Sequence, residues 1–148
     1  MGTAIRIFLD ANILFSAAKS SGAVRRLLSD LHADGHSLVA DEYVATEARR
    51  NIAAKAAGDA VVYLEALLSR IEFVSGAHSG TAAGTSADWL PPKDRPVLLA
   101  AMALKCDALV TGDSTHFSPG YGKVFGGVRV YAPAQLAVAI WGKEPSPR

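Results

Sequence analysis

Short apolar runs alternate along this chain with longer stretches in which apolar residues recur every three or four positions. Ile5-Arg-Ile-Phe-Leu9 is β-branched and aromatic and predicts a buried strand. A short helix is expected next, capped by Asn12 and running to about Ala18, before Ser20-Ser21-Gly22 breaks it. Val24, Leu27, Leu28 and Leu31 carry a helical period from Ala23 to Ala33, and Gly35 ends it. Ser37-Leu-Val-Ala40 predicts a second strand. Asp41 opens a helix with Val44, Ala48 and Ile52 on one stripe, and Val61, Leu64, Leu67 and Leu68 mark another beyond Gly58-Asp59. Ile71-Glu-Phe-Val74 predicts a third strand, and the Gly-, Ser-, Thr- and Ala-rich stretch 75–87 a loop. Pro91-Pro92 is expected to start a helix whose stripe is Val97, Leu98, Ala101 and Leu104. Ala108-Leu-Val-Thr111 and Val128-Arg-Val-Tyr131 predict the fourth and fifth strands, and Pro133 begins a last helix ending near Trp141.

Strands alternating with helices predict an α/β fold, a parallel sheet with helices on both faces. At 148 residues the chain reads as one domain, 1–141, with 142–148 a flexible C-terminal tail. Function in such sheets gathers beyond the carboxyl ends of the strands, where strand order reverses. Asp10 follows the first strand directly and Asp113 follows the fourth by two residues. If those strands are neighbours, the two carboxylates face each other.

Composition narrows the chemistry. Half the residues are apolar, enough for a real core, and the net charge of +1 argues against a uniformly basic surface but leaves room for a local basic cleft. Cys106 is the single cysteine, so neither a disulfide framework nor a cysteine-based zinc site is expected. The first residues lack a signal-peptide pattern, and no apolar stretch reaches the roughly 18 residues of a membrane span, so the chain reads as cytoplasmic with no membrane partner.

Four acids stand in apolar surroundings at strand ends or helix starts and turns: Asp10, Glu47, Asp94 and Asp113. Each has an ordinary explanation taken singly. Asp10 could cap a helix, Glu47 could be a solvated helix-face charge beside Arg50, Asp94 could favour a helix dipole, and Asp113 could be a turn residue. Together they point to a shared divalent cation, because carboxylates forced close repel and hold their protons until a cation arrives. Oxygen donors suit Mg²⁺ or Mn²⁺. Such ions acidify water and stabilise the leaving oxygen of a phosphodiester. Asn12, Thr111 and Ser114 are available to orient water or phosphate.

The segments Phe8-Leu-Asp-Ala-Asn-Ile-Leu-Phe-Ser-Ala17, Val44-Ala-Thr-Glu47, Pro92-Lys-Asp-Arg-Pro-Val97 and Leu109-Val-Thr-Gly-Asp-Ser-Thr-His-Phe117 resemble, in order and spacing, the four motifs of PIN-domain ribonucleases. Each motif is weak alone, whereas the ordered set is specific and spans Ile5 to about Ala139. The chain is most similar to the VapC-like toxins of bacterial toxin–antitoxin pairs. That resemblance implies a three-layer α/β/α domain with a five-stranded parallel sheet of order 3-2-1-4-5. It implies a metal-dependent endoribonuclease cutting single-stranded RNA, with Mg²⁺ or Mn²⁺ on Asp10, Glu47, Asp94 and Asp113. It also implies a small antitoxin partner and pairing of two copies. Asn12 matches the family's polar companion residue, and Thr111 its small hydroxyl before the last acid. Extra acids of some members are replaced here by Ser114-Thr115-His116 and Pro91-Pro92-Lys93, which weakens the case for a second metal.

The alternative within the same fold is a non-catalytic RNA- or protein-binding module. Such domains typically lose an acid, and this chain keeps all four. Aspartyl-phosphate chemistry fits less well, since a dehalogenase-like site needs an acid where Asn12 stands, and a receiver needs a late lysine. For phosphate contacts, Arg95 and one of Arg49 or Arg50 are the candidates. His116 reads as a turn histidine at the surface, Trp89 as a packing residue, and Cys106 as buried.

Overall fold

The computed structural model describes residues 3–75 and 86–142. The expected loop 75–87 therefore falls mostly, and the expected tail almost wholly, outside the described residues. The described elements are β1 (Arg6–Leu9), α1 (Ala11–Lys19), α2 (Ala23–Ala33), β2 (Ser37–Asp41), α3 (Glu42–Lys55), α4 (Gly58–Arg70), β3 (Glu72–Val74), α5 (Arg95–Ala103), β4 (Ala108–Val110), α6 (Ser114–Phe117), β5 (Val124–Phe125), β6 (Val128–Tyr131) and α7 (Pro133–Trp141).

The sheet order is β3-β2-β1-β4-β6-β5. Its first five members are parallel and follow the expected order, with Val128–Tyr131 as the fifth parallel strand. The sixth strand is a departure from the expected five. β5 pairs antiparallel with β6 through the turn Gly126-Gly127, where both glycines take positive φ (56° and 86°). Two consecutive positive φ values suit the tight hairpin turn whose twist matches the strands, and glycine reaches them without steric penalty.

The strands are short, and the central ones, β1, β2 and β4, are almost wholly interior. Ile7, Phe8, Leu9, Val39, Ala40, Leu109, Val110, Val128 and Val130 show 0% exposure. Fully burying a side chain such as Phe8 or Leu9 contributes about 1.5–3 kcal/mol. α1 packs on α2, α3 and α4, while α5 packs against β4 and β6, and α7 against β6 and α2. Most helical stripes fall as their spacing predicts. On α4 the buried residue of the first turn is Ala60, whereas Val61 lies at the surface.

Two helix starts differ from expectation. α1 begins two residues early: Asp10 is its N-cap and accepts a hydrogen bond from the Ala11 N–H at 2.7 Å, while Asn12 lies inside the helix. α5 begins at Arg95 with Pro96 in its first turn, so Pro91-Pro92 belong to the preceding turn and Asp94 becomes the N-cap. Either proline arrangement satisfies the preference for proline where no N–H is needed.

Register fixes the crevice. Leu9 pairs with Val110, and the Asp10 N–H donates to the Val110 carbonyl at 3.1 Å. The carboxyl ends of β1 and β4 therefore lie side by side, and Asp10 and Thr111 emerge next to each other.

Candidate metal centre

Asp10, Asp94 and Asp113 are all N-caps, of α1, α5 and α6. The Asp10 and Asp113 side chains accept from free N–H groups at their helix starts, those of Ala11 and His116, which offsets part of the cost of bringing acids together, whereas the Asp94 side chain makes no such bond. Asp10 is 7% exposed. Its Oδ1 accepts from Ala11 N, and its Oδ2 accepts from the Thr111 hydroxyl at 2.7 Å. Burial nevertheless pushes its pKa up to about 6, helped by the neighbouring Asp94 and Asp113 and opposed by those two hydrogen bonds.

Thr111 is the hub of this end of the sheet. Its fully buried hydroxyl oxygen also accepts from the Asp113 N–H at 3.1 Å and lies 3.4 Å from Asn12 Nδ2. Asn12 Oδ1 accepts from Gly112 N at 2.9 Å, tying the first turn of α1 to the loop after β4. Tyr121 closes the far side by donating its hydroxyl to the Thr111 carbonyl at 3.0 Å.

Asp94 and Asp113 meet at a residue read from the sequence as a surface histidine. The four-residue helix α6 turns His116 back over its own cap, and its backbone N–H donates to Asp113 Oδ1 at 3.2 Å. His116 Nδ1 then stands 2.9 Å from Asp94 Oδ2 and 3.1 Å from Asp113 Oδ2. Neither contact is aligned as a hydrogen bond, and both Asp94 Oδ2 and His116 Nδ1 are buried atoms with no hydrogen-bond partner. Burial raises the Asp94 pKa first of all; Lys93 and His116 lower it and Asp113 raises it. Among the described residues, Asp94, Asp113 and His116 offer ligand atoms that all lie within 4.8 Å of one another.

These acids open into a cleft of about 190 Å³ lined by Asp10, Asn12, Tyr43, Glu47, Asn51, Lys93, Asp94 and Asp113 among others. That is room for several waters. Glu47 stands on its wall, half exposed, with Arg50 at 3.8 Å, so Glu47, like Asp10, shares the cleft without belonging to the tight cluster of Asp94, Asp113 and His116. Tyr43 donates its hydroxyl to the Lys93 carbonyl at 2.6 Å, joining α3 to the turn that presents Asp94.

The remaining candidates are elsewhere. Ser114 starts α6 and does not line the cleft. Arg95 donates to the carbonyls of Leu90 and Asp88, and Arg49 is held by Glu65 and Glu42. Lys93, which sequence reasoning passed over, is the lysine on the cleft wall. Trp89 is a packing residue: its ring stacks on Phe125 and meets Phe117 edge-on. Cys106 is buried, which pushes its thiol up to about 11.

The donor set fits a small divalent cation. Oxygen ligands predominate, and two buried polar atoms, Asp94 Oδ2 and His116 Nδ1, lie 2.9 Å apart without an aligned hydrogen bond, an arrangement that a cation between them would satisfy.

The fold is shared with solved structures that include the following three. VapBC2 from Rickettsia felis, bound to a DNA fragment from their promoter, superposes with a TM-score of 0.65 at 18% identity, covering 86% of this chain and 98% of that one. FitAB bound to an IR36 DNA fragment gives 0.59 at 14% identity, covering 86% and 94%. Mycobacterium tuberculosis VapC20, a sarcin-ricin loop cleaving toxin, gives 0.56 at 12% identity, covering 80% and 98%. Among curated proteins no sequence match is found. The family model of the PIN domain matches residues 6–115, which holds all four acids and most of the sheet, and the chain belongs to that family.

Proposed function

We propose that this protein is a divalent-metal-dependent endoribonuclease that cuts single-stranded RNA, acting as the toxin of a toxin–antitoxin pair. The observation that carries the nuclease reading is the acidic cleft beyond β1 and β4, lined by Asp10, Glu47, Asp94 and Asp113, with Asp94 Oδ2 lacking a hydrogen-bond partner and His116 Nδ1 beside it at 2.9 Å. The structural likeness to VapC20 and to VapBC2 supports the toxin assignment and, with it, a small antitoxin partner; pairing of two copies is proposed on the family resemblance alone.

In this reading Asp10, Asp94 and Asp113 hold Mg²⁺ or Mn²⁺, with Glu47 contributing from the wall. A bound divalent cation supplies charge for the scissile phosphate and acidifies water for attack. The chain's own residues do the rest. Thr111 fixes the Asp10 carboxylate by donating to it, and Asn12 holds the α1 turn against the loop before Asp113. Lys93 offers a cation to the phosphate on the cleft wall. Asp10 must be ionised to bind a cation, so affinity should climb as pH rises through about 6.

The test is cleavage of a generic single-stranded RNA by purified protein with Mn²⁺ or Mg²⁺, with EDTA, and with Asp10→Asn in parallel. The proposal expects metal-dependent cutting that falls about a hundredfold or more in the variant. Equal cutting by Asp10→Asn refutes the metal site. No cutting together with no metal bound in calorimetry favours the non-catalytic binding module.

A further inference from the structure

The contact between His116 and the two aspartates is not explained by the acids alone. An Nδ1–H donating to a carboxylate, in the imidazolium or in the neutral Nδ1–H tautomer, would be expected to align with one oxygen. Here Nδ1 sits between two oxygens, 2.9 and 3.1 Å away, aligned with neither. A neutral ring with its lone pair on Nδ1 would face two carboxylates, which is repulsive unless a cation lies among them. In an octahedral shell with bonds of about 2.1 Å, neighbouring ligand atoms stand about 3.0 Å apart. The observed spacings match two such edges.

We propose that His116 Nδ1 is a direct ligand of the divalent cation and gives this site a preference for Mn²⁺ over Mg²⁺. The inference rests on the nuclease reading of the same cleft. Imidazole nitrogen suits the first-row transition ions, while Mg²⁺ favours oxygen and gives up its waters reluctantly. A shell of aspartate oxygens plus one imidazole is thus biased toward the ion that accepts nitrogen. The placement is built into the fold: Asp113 caps α6, and one turn later the helix returns His116 to the carboxylate of its own cap.

The experiment uses the full chain loaded with Mn²⁺ alone, read by pulsed electron paramagnetic resonance, with Mn²⁺ and Mg²⁺ affinities from calorimetry. His116→Gln and His116→Ala are compared, with circular dichroism confirming the fold. A directly bound imidazole gives a nitrogen hyperfine coupling to Mn²⁺. The expected result is a coupling present in the parent and lost in both variants, with Mn²⁺ affinity falling about tenfold or more and Mg²⁺ affinity changing less than about twofold. Mn²⁺ bound without nitrogen coupling, or equal weakening of both ions, overturns the histidine ligand and leaves the acidic metal site standing. Absence of binding by the unaltered chain overturns both.

Discussion

Asp10 is expected to destabilise the metal-free fold, and the size of that penalty follows from its surroundings. The carboxyl is buried at the end of β1 and its pKa is pushed up to about 6 from an ordinary 3.8, burial being the main cause. A raised acid costs nothing while both folded and unfolded chains are protonated. The cost grows as pH rises from 3.8, where the unfolded carboxyl ionises, and levels off above about 6. Above both values it amounts to about 3 kcal/mol. Asn resembles the protonated acid in shape and can still accept from Ala11 N, while its amide can donate to Thr111. Asp10→Asn in EDTA should therefore stabilise the fold by about 3 kcal/mol at pH 8 but only about 1 kcal/mol at pH 4.5. For a chain of this length the pH 8 gain is a rise of about 6–12 °C in Tm. Urea unfolding at the two pH values measures both. A gain that is absent at pH 8, or the same at both pH values, would falsify the claim that the fold holds Asp10 above the ordinary carboxyl range. Added Mn²⁺ should reverse the order, because only the parent gains the ligand's binding energy.

Two further outcomes test the supports around the cleft. Thr111→Val removes the buried donor to Asp10 and the acceptor for Asp113 N, and should cost about 1.5–3 kcal/mol in urea unfolding; Thr111→Ser should recover most of it. Gly120→Ala would drive a Cβ into the Trp89 ring, so the ring must shift. We expect a loss of about 1–3 kcal/mol and an altered near-ultraviolet tryptophan signal, while an unchanged signal would show the ring is not held there.

Much of this arrangement could be read from residue order, and the parts that could not have local physical reasons. The five parallel strands announce themselves because each is a buried apolar run between turn residues. The adjacency of Asp10 and Asp113 follows once strands one and four are neighbours. Whether Asp10 or Asn12 caps α1 was not decidable from type alone, since both are good caps; pairing of Asp10 N with Val110 settles it by ending β1 there. The start of α5 was ambiguous because Pro92 and Pro96 both suit a first turn. β5 is two residues long, too short for periodicity, although Gly126-Gly127 between apolar pairs is a hairpin signal. The placement of His116 between Asp94 and Asp113 was not legible because it depends on a four-residue helix with no apolar period. The spacing from Asp113, three residues, was the available clue. Of the expected phosphate contacts, Arg95 is engaged by the carbonyls of Asp88 and Leu90 and Arg49 by Glu65, while Arg50, the other member of that pair, stays exposed beside Glu47.

The short hairpin at Gly126-Gly127 has a consequence for assembly. It leaves the sheet bounded, among the described residues, by a strand of two residues at one end and of three at the other. Neither rim offers enough unpaired backbone to template another strand, and the three-residue rim carries the exposed Glu72, already engaged by Arg6. Growth of the sheet from one molecule into the next is thereby discouraged. Whatever copies or partners this protein gathers are expected to meet it through side chains on its helices rather than through main-chain pairing. Such contacts can be re-specified by a few surface substitutions without disturbing the cleft.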